Sequence, residues 1–312
     1  MRILIGVPLL LGLLGVPAPV PAAARIEPRK PVVVATIFPL AEFARAVAGE
    51  AAEVTQLLPP GADVHTWQPR VGDVRRLAGA DLLLSVGAGL EPWLPGLVRG
   101  AGAGRLRELV ASKGLDLLEV HEGHEAGEGH AGHADEGRDP HVWLDFGQDE
   151  KIVESLAETL AGLAPADAAG FRSRAETLKG RLRALDASYR EGLAGCSRRE
   201  IILAGHAAFG YLARRYGLVQ TPVFGASPDA APTPKTTAEI AARAKRTKAR
   251  TIFYEPGAGD KIARLIAAEA GADVRLLYPG HNITPAQKAA GIGFFRLMEE
   301  NLEVLRHGLS DR

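Results

Sequence analysis

The chain has 312 residues, with 37 basic against 37 acidic side chains, nine histidines and one cysteine. A formal charge of zero argues against the basic footprint of a nucleic-acid binder and the polybasic face of a membrane-surface protein. A single thiol, Cys196, excludes a disulfide framework and any multi-cysteine zinc or iron–sulfur centre, so a metal site here must be built from imidazole and carboxylate.

In chain order, Arg2 precedes an apolar run over 3–16 that Pro17, Pro19 and Pro21 break, and Ala22-Ala23-Ala24 follows. This reads as an export signal, 1–24, cleaved after Ala24, because the run falls short of the ~20 residues that span a bilayer. No cysteine stands near the cleavage point, so the mature protein is expected to be exported, soluble and not lipid-anchored, with Cys196 a buried small hydrophobe. Apolar strand-like runs at 32–37, 54–58 and 82–85 alternate with helical stretches at 40–49 and 73–80. The same alternation returns with strands at 201–204, 251–254 and 274–277, helices ending at 216 and 270, and a closing helix over 284–307. Such alternation predicts parallel sheets flanked by helices. Between the halves, Phe171, Ala175, Leu178, Leu182, Leu185 and Tyr189 recur at spacings of three and four. They predict an amphipathic helix over 165–193, on the order of 40 Å long at ~1.5 Å per residue. The expected fold is α/β: two parallel-sheet lobes, 31–164 and 194–312, joined by one long rigid helix, with a site in the interlobe cleft.

The histidines fall in two groups. His121, His124, His130 and His133 crowd a Gly-rich, acidic loop, 121–137, without apolar periodicity. It lacks the HExxH spacing on a helix and reads as an auxiliary low-affinity metal trap. By contrast, His65, His206 and His281 each follow a predicted strand through a turn, where open α/β sheets place ligands. His141 lies in the loop 139–145. Singly, each reads as well as a histidine bonded to a backbone carbonyl; together, two in each half, they point to one interlobe metal site. Neutral imidazole binds Zn(II) at ~2.0–2.1 Å, whereas Mn(II) and Mg(II) prefer more oxygen. Copper(II) remains open on affinity order, and two methionines make a poor Cu(I) carrier. Because the imidazole must be neutral, affinity is expected to fall below the ~6.5 reference value for histidine.

The segments Asp63-Val64-His65-Thr66-Trp67-Gln68-Pro69, Asp139-Pro140-His141-Val142-Trp143-Leu144-Asp145 and Gly205-His206-Ala207-Ala208-Phe209-Gly210-Tyr211-Leu212 resemble the three histidine motifs of periplasmic zinc- and manganese-binding proteins, the solute-binding components of ABC metal importers. The resemblance continues through Val86-Gly87-Ala88-Gly89-Leu90-Glu91-Pro92-Trp93, the long helix, Phe253-Tyr254-Glu255-Pro256 and the closing Leu297-Met298-Glu299-Glu300-Asn301-Leu302. It implies a metal held between two lobes by His65, His141 and His206 and handed to an ABC-type permease in the inner membrane. A histidine-rich loop before the second motif is a feature of the zinc members. Zn(II) is then the transported ligand, the location is the periplasm, no nucleic acid is involved and the chain is a monomer. At the fourth ligand position this sequence departs from the many relatives that carry Asp. The stretch here reads Leu276-Leu277-Tyr278-Pro279-Gly280-His281-Asn282, which makes His281 the candidate for an all-imidazole, zinc-favouring site. Glu255 and a water molecule are the alternatives, and a manganese or other divalent carrier is the alternative of the same kind. From another class, three histidines plus water also suit a zinc hydrolase with Glu255 as base. A dinucleotide loop at Gly87-Ala88-Gly89 is weak, since Pro92 takes the third glycine position. A siderophore or haem pocket would want arginines or aromatics facing the ligand.

Overall fold

The computed structural model describes residues 29–102, 104–119, 137–224, 232–256 and 260–311. The expected signal 1–24 and the loop histidines His121, His124, His130 and His133 lie outside the described residues.

The first lobe runs β1 (Val32–Ala35), α1 (Phe38–Ala48), β2 (Glu53–Gln56), α2 (Val71–Ala78), β3 (Leu82–Ser85), α3 (Leu94–Ala101) and β4 (Arg107–Val110). Then come α4 (Phe146–Leu163) and the rod α5 (Ala168–Ala194). The second lobe runs β5 (Glu200–Ala204), α6 (Gly210–Tyr216), β6 (Val219–Pro222), α7 (Pro234–Arg246), β7 (Thr251–Tyr254), α8 (Asp260–Ala270), β8 (Asp273–Leu276), α9 (Pro285–Ala289) and α10 (Phe294–Leu309). Both sheets are parallel and share one topology, β2-β1-β3-β4 and β6-β5-β7-β8. In each, the chain leaves a central strand to one side and returns on the other. The crevice between the carboxyl ends of those two central strands is where such sheets bind ligands.

The central strands Val32-Val33-Val34-Ala35 and Leu82-Leu83-Leu84-Ser85 have no polar face because helices cover both sides of the sheet. Two strands that the sequence reading passes over, β4 and β6, are sheet edges. Arg107 and Glu108 are exposed, and β6 reads Val219-Gln220-Thr221-Pro222, so neither shows the apolar run of a buried strand. The rod buries the expected stripe, Phe171 to Tyr189, and adds Leu193. It starts three residues later than predicted, since Pro165–Asp167 form a separate 3-10 turn. Arg174 of the rod donates to the carbonyls of Val47 (2.7 Å) and Ala48 (2.9 Å), the open end of α1. Tyr189 Oη donates to Met298 O at 2.6 Å in α10. One apolar core runs through the first lobe, the rod and part of the second lobe, which makes the rod a common wall. The lone thiol of Cys196 is buried, as expected.

The single closing helix expected over 284–307 is instead two helices. Thr284 and Gln287 cap α9 reciprocally, but Gly291 takes a left-handed φ of 69° and Ile292 N closes back on Gln287 O at 3.0 Å. That is a helix C-terminal turn, and α10 starts afresh at Phe294.

Candidate metal centre

Each histidine is positioned by its own neighbours before it meets the others. In the first lobe, Asp63 Oδ1 accepts from His65 N (2.9 Å) and Thr66 N (3.2 Å), which fixes the turn that presents His65. The indole of Trp93 donates to Val64 O at 2.8 Å and packs edge-on to Trp67 with centroids 4.6 Å apart. Two residues before Trp93, the buried Glu91 accepts from Thr36 Oγ1 (2.6 Å), Val86 N (2.9 Å) and Gly87 N (3.0 Å). Burial pushes the Glu91 carboxyl above the usual carboxylate range.

His141 and His206 are each held by a buried carboxylate. Asp139 Oδ1 accepts from His141 N at 2.9 Å and faces its Nδ1 at 2.8 Å, and Tyr211 Oη fixes the Asp139 carbonyl at 2.8 Å. Glu255, immediately past β7, accepts from His206 N at 2.7 Å and places Oε2 2.8 Å from Nδ1. His206 follows β5, so this pair occupies the switch point of the second sheet. A carboxylate at Nδ1 selects the tautomer that leaves Nε2 with a free lone pair. The two Nε2 atoms lie 3.1 Å apart, close to the ~3.3 Å that two imidazole nitrogens keep around a tetrahedral ion with bonds of ~2.05 Å. Donor atoms of His65, His141 and His206 all lie within 4.8 Å of one another.

His65 Nε2 and His281 Nδ1 are buried without a hydrogen-bond partner. Orphaned buried nitrogens in a cluster of imidazoles are the mark of a place that a cation completes. Burial, then the neighbouring rings of His141, His206 and His281, lower the pKa of His65 to about 2. Burial, then His206 and His141, lower that of His281 to about 3. In both rings burial and the neighbouring imidazoles favour the neutral form, which is the one that coordinates a metal.

The structure thus brings together three of the four sequence-assigned ligands. His281 stands beside the trio, its ring centroid 6.4 Å from that of His65, with Nε2 4.0 Å from Asp63 Oδ2. Glu255, weighed as an alternative ligand or as a base, faces His206 Nδ1 instead, and its carboxylate is already engaged there. Sequence reasoning missed the carboxylate roles of Asp139 and Glu255, although the Asp-Pro-His spacing and a glutamate directly after a strand are the available signals. It also missed why glycines flank His206. A Cβ at Gly205 would lie 1.9 Å from Glu255 Oε1, and one at Gly210 would lie 2.6 Å from Asp139 Oδ2. Both glycines are the room through which the carboxylates reach the histidines.

Two parallel α/β lobes on a helical rod, closing on buried imidazoles backed by carboxylates, define a two-lobed metal-binding protein of the solute-binding class. The chain belongs to the family of the zinc-uptake complex component A, periplasmic (ZnuA), which matches residues 33–308. It is 32% identical over 278 residues to the high-affinity zinc uptake system protein ZnuA of Bacillus subtilis, covering 89% of this chain and 87% of that one. The zinc-binding lipoprotein AdcA of Streptococcus pneumoniae serotype 4 is 32% identical over 278 residues; the match covers 88% of this chain but spans only 55% of that longer protein. The crystal structure of the Zn(II)-bound ZnuA-like domain of Streptococcus pneumoniae AdcA superposes with a TM-score of 0.76 at 29% identity, covering 91% of this chain and all of that one. Among the described residues no helix is long and apolar enough to cross a membrane.

Proposed function

We propose that this protein captures one Zn(II) between its lobes and delivers it to an ABC-type permease in the inner membrane. His65, His141 and His206 are the ligands in this reading, and His281, with an unpartnered Nδ1 beside them, completes an all-imidazole sphere. The observation that carries it is the pair of facing Nε2 atoms at 3.1 Å, each on a ring whose Nδ1 is taken by a buried carboxylate. A nitrogen-only donor set favours zinc over manganese. Coordination by groups from both lobes makes the ion a tie between them, and nanomolar binding corresponds to about 12 kcal/mol, ample to bias a small lobe motion. Carriage suits these residues better than hydrolysis, since Glu255 is engaged with His206 and cannot also serve an attacking water. We place the protein in the periplasm as a monomer. The pneumococcal relative is a lipoprotein, whereas the sole cysteine here is buried just past the rod. The loop histidines His121, His124, His130 and His133 serve as a low-affinity collector feeding the cleft.

The test is titration of the purified protein with Zn, Mn and Cu against a competing chelator, with elemental analysis and an ester-hydrolysis assay. One tight zinc equivalent, a far weaker manganese and no hydrolysis are expected. Tight manganese with weak zinc, or turnover of the ester, would reject this reading.

A further inference from the structure

The loop that carries His65 belongs to the first lobe but is gripped from the second. Residues 57–70, between β2 and α2, contain no strand or helix. Asn282, one residue past His281, donates from Nδ2 to Pro59 O at 2.6 Å and Ala62 O at 2.8 Å. Its Oδ1 accepts from Ile283 N (2.9 Å) and from Gln56 Nε2 (3.3 Å). Backbone bonds run along the same seam: Gly61 N donates to Ile283 O (2.8 Å) and Phe38 N to His281 O (3.1 Å). The turn Pro59-Pro60-Gly61-Ala62 has two residues without an amide hydrogen, so it offers carbonyls in excess of donors. Asparagine answers that surplus, because one planar amide supplies two N–H groups to carbonyls while its oxygen still accepts. Aspartate could not donate, and alanine would take this donor from Ala62 O and leave Pro59 O only the Ala62 N–H at 3.1 Å. Next to the seam lies a cavity of about 300 Å³ lined in part by Asp63, Thr66, Glu255, His281 and Asn282.

We propose, resting on the zinc-carrier reading, that Asn282 is a positioning residue: an interlobe latch that holds His65 at the metal and sets how long the ion stays. While Nδ2 keeps both carbonyls, the turn 59–62 is fixed to the loop bearing His281, and His65, three residues on, is fixed with it. When Nδ2 lets go, the turn withdraws into the first lobe, His65 follows and the cavity widens into an exit. The latch shows chiefly in departure, because a contact that holds an already bound site together changes the dissociation rate far more than the association rate.

The experiment uses the full mature chain carrying Asn282→Asp, which keeps size and acceptor but sets a carboxylate against two carbonyls. Asn282→Ala removes the donors without adding charge and gives the same readouts should the aspartate variant not fold. Zinc-loaded protein is mixed with excess EDTA by stopped flow, zinc uptake is timed separately, and hydrogen exchange is followed over 57–66. Each lost bond is worth a factor of about two to ten, so the dissociation rate should rise about tenfold or more while the association rate stays within about twofold. Exchange over 57–66 should quicken while that of α5 does not. Dissociation within about twofold of the parent in both variants overturns the latch, even if the loop exchanges faster, because the residue is then merely structural. If the parent binds no zinc, the carrier reading falls on its own, and unchanged exchange over 57–66 in the metal-free variants overturns the latch independently.

Discussion

Gly205→Ala tests whether the carboxylate behind His206 tunes the centre. Gly205 has no left-handed backbone angle, so alanine fits its main chain, and the whole perturbation is one methyl group. That methyl would lie 1.9 Å from Glu255 Oε1, 2.7 Å from Cδ and 2.9 Å from Cγ. To restore ordinary contact the carboxylate must withdraw by about 1 Å or more, which takes bonds of 2.7 and 2.8 Å beyond hydrogen-bond reach. His206 then loses its tautomer lock and its backbone N–H is left buried without an acceptor. Losing a carboxylate that orients a ligating imidazole lowers metal affinity by about 10–100-fold, or about 1.4–2.7 kcal/mol. The stranded N–H costs the metal-free protein about 1–3 kcal/mol of stability. Competition titration with a chromogenic zinc chelator measures the first and urea unfolding of the metal-free protein the second. Zinc affinity within about twofold of the parent, in a variant that folds, would refute the orienting role of Glu255.

Three further outcomes are expected. His206→Ala and His65→Ala should both abolish tight zinc binding, yet differ without metal. The first takes the ring Nδ1 away from the buried Glu255 carboxylate, leaving it the backbone N–H of residue 206, and loses about 1–3 kcal/mol in urea unfolding, whereas the second deletes a ring whose Nε2 has no partner and stays within about 1 kcal/mol of the parent. Acid should destabilise the metal-free protein through His65 and His281. With folded values near 2 and 3 against ~6.5 unfolded, the unfolded chain binds more protons as pH falls below that value, and each ring removes up to about 1.4 kcal/mol per pH unit. Burial raises the carboxyls of Glu91 and Asp149, which act with the opposite sign. The parent is therefore compared with His65→Ala/His281→Ala between pH 6.5 and 5, and equal slopes would contradict the assignment. Gly180→Ala, mid-rod with open space around its would-be Cβ, should stabilise by about 0.5–1 kcal/mol in thermal or urea unfolding and leave zinc affinity unchanged.

Legibility in the sequence followed locality. The rod was readable because its apolar stripe is a periodicity of the chain itself, and β3 and β7 because strands buried along nearly all their length are mostly apolar, Leu82-Leu83-Leu84 and Ile252-Phe253-Tyr254. Edge strands β4 and β6 carry no such run, since only one side of each is paired and their residues meet water. The break between α9 and α10 turned on Gly291 adopting a left-handed angle, a choice that glycine permits without announcing.

The same division runs through the centre. Sequence by itself pointed to imidazole chemistry, through one cysteine and the spacing of its histidines, and the resemblance of three motifs to those of a known family singled out His65, His141 and His206. Tertiary structure alone decided that Glu255 backs His206, although 49 residues separate them, and that His281 stands beside the trio. It also decided that Asn282 ties the His65 loop to the other lobe across 220 residues of chain. The physical reason is that a residue type sets what an atom can bond, while the parallel crossovers of two sheets and the rod between them set which atoms come within about 3 Å, where coordination and hydrogen bonding act.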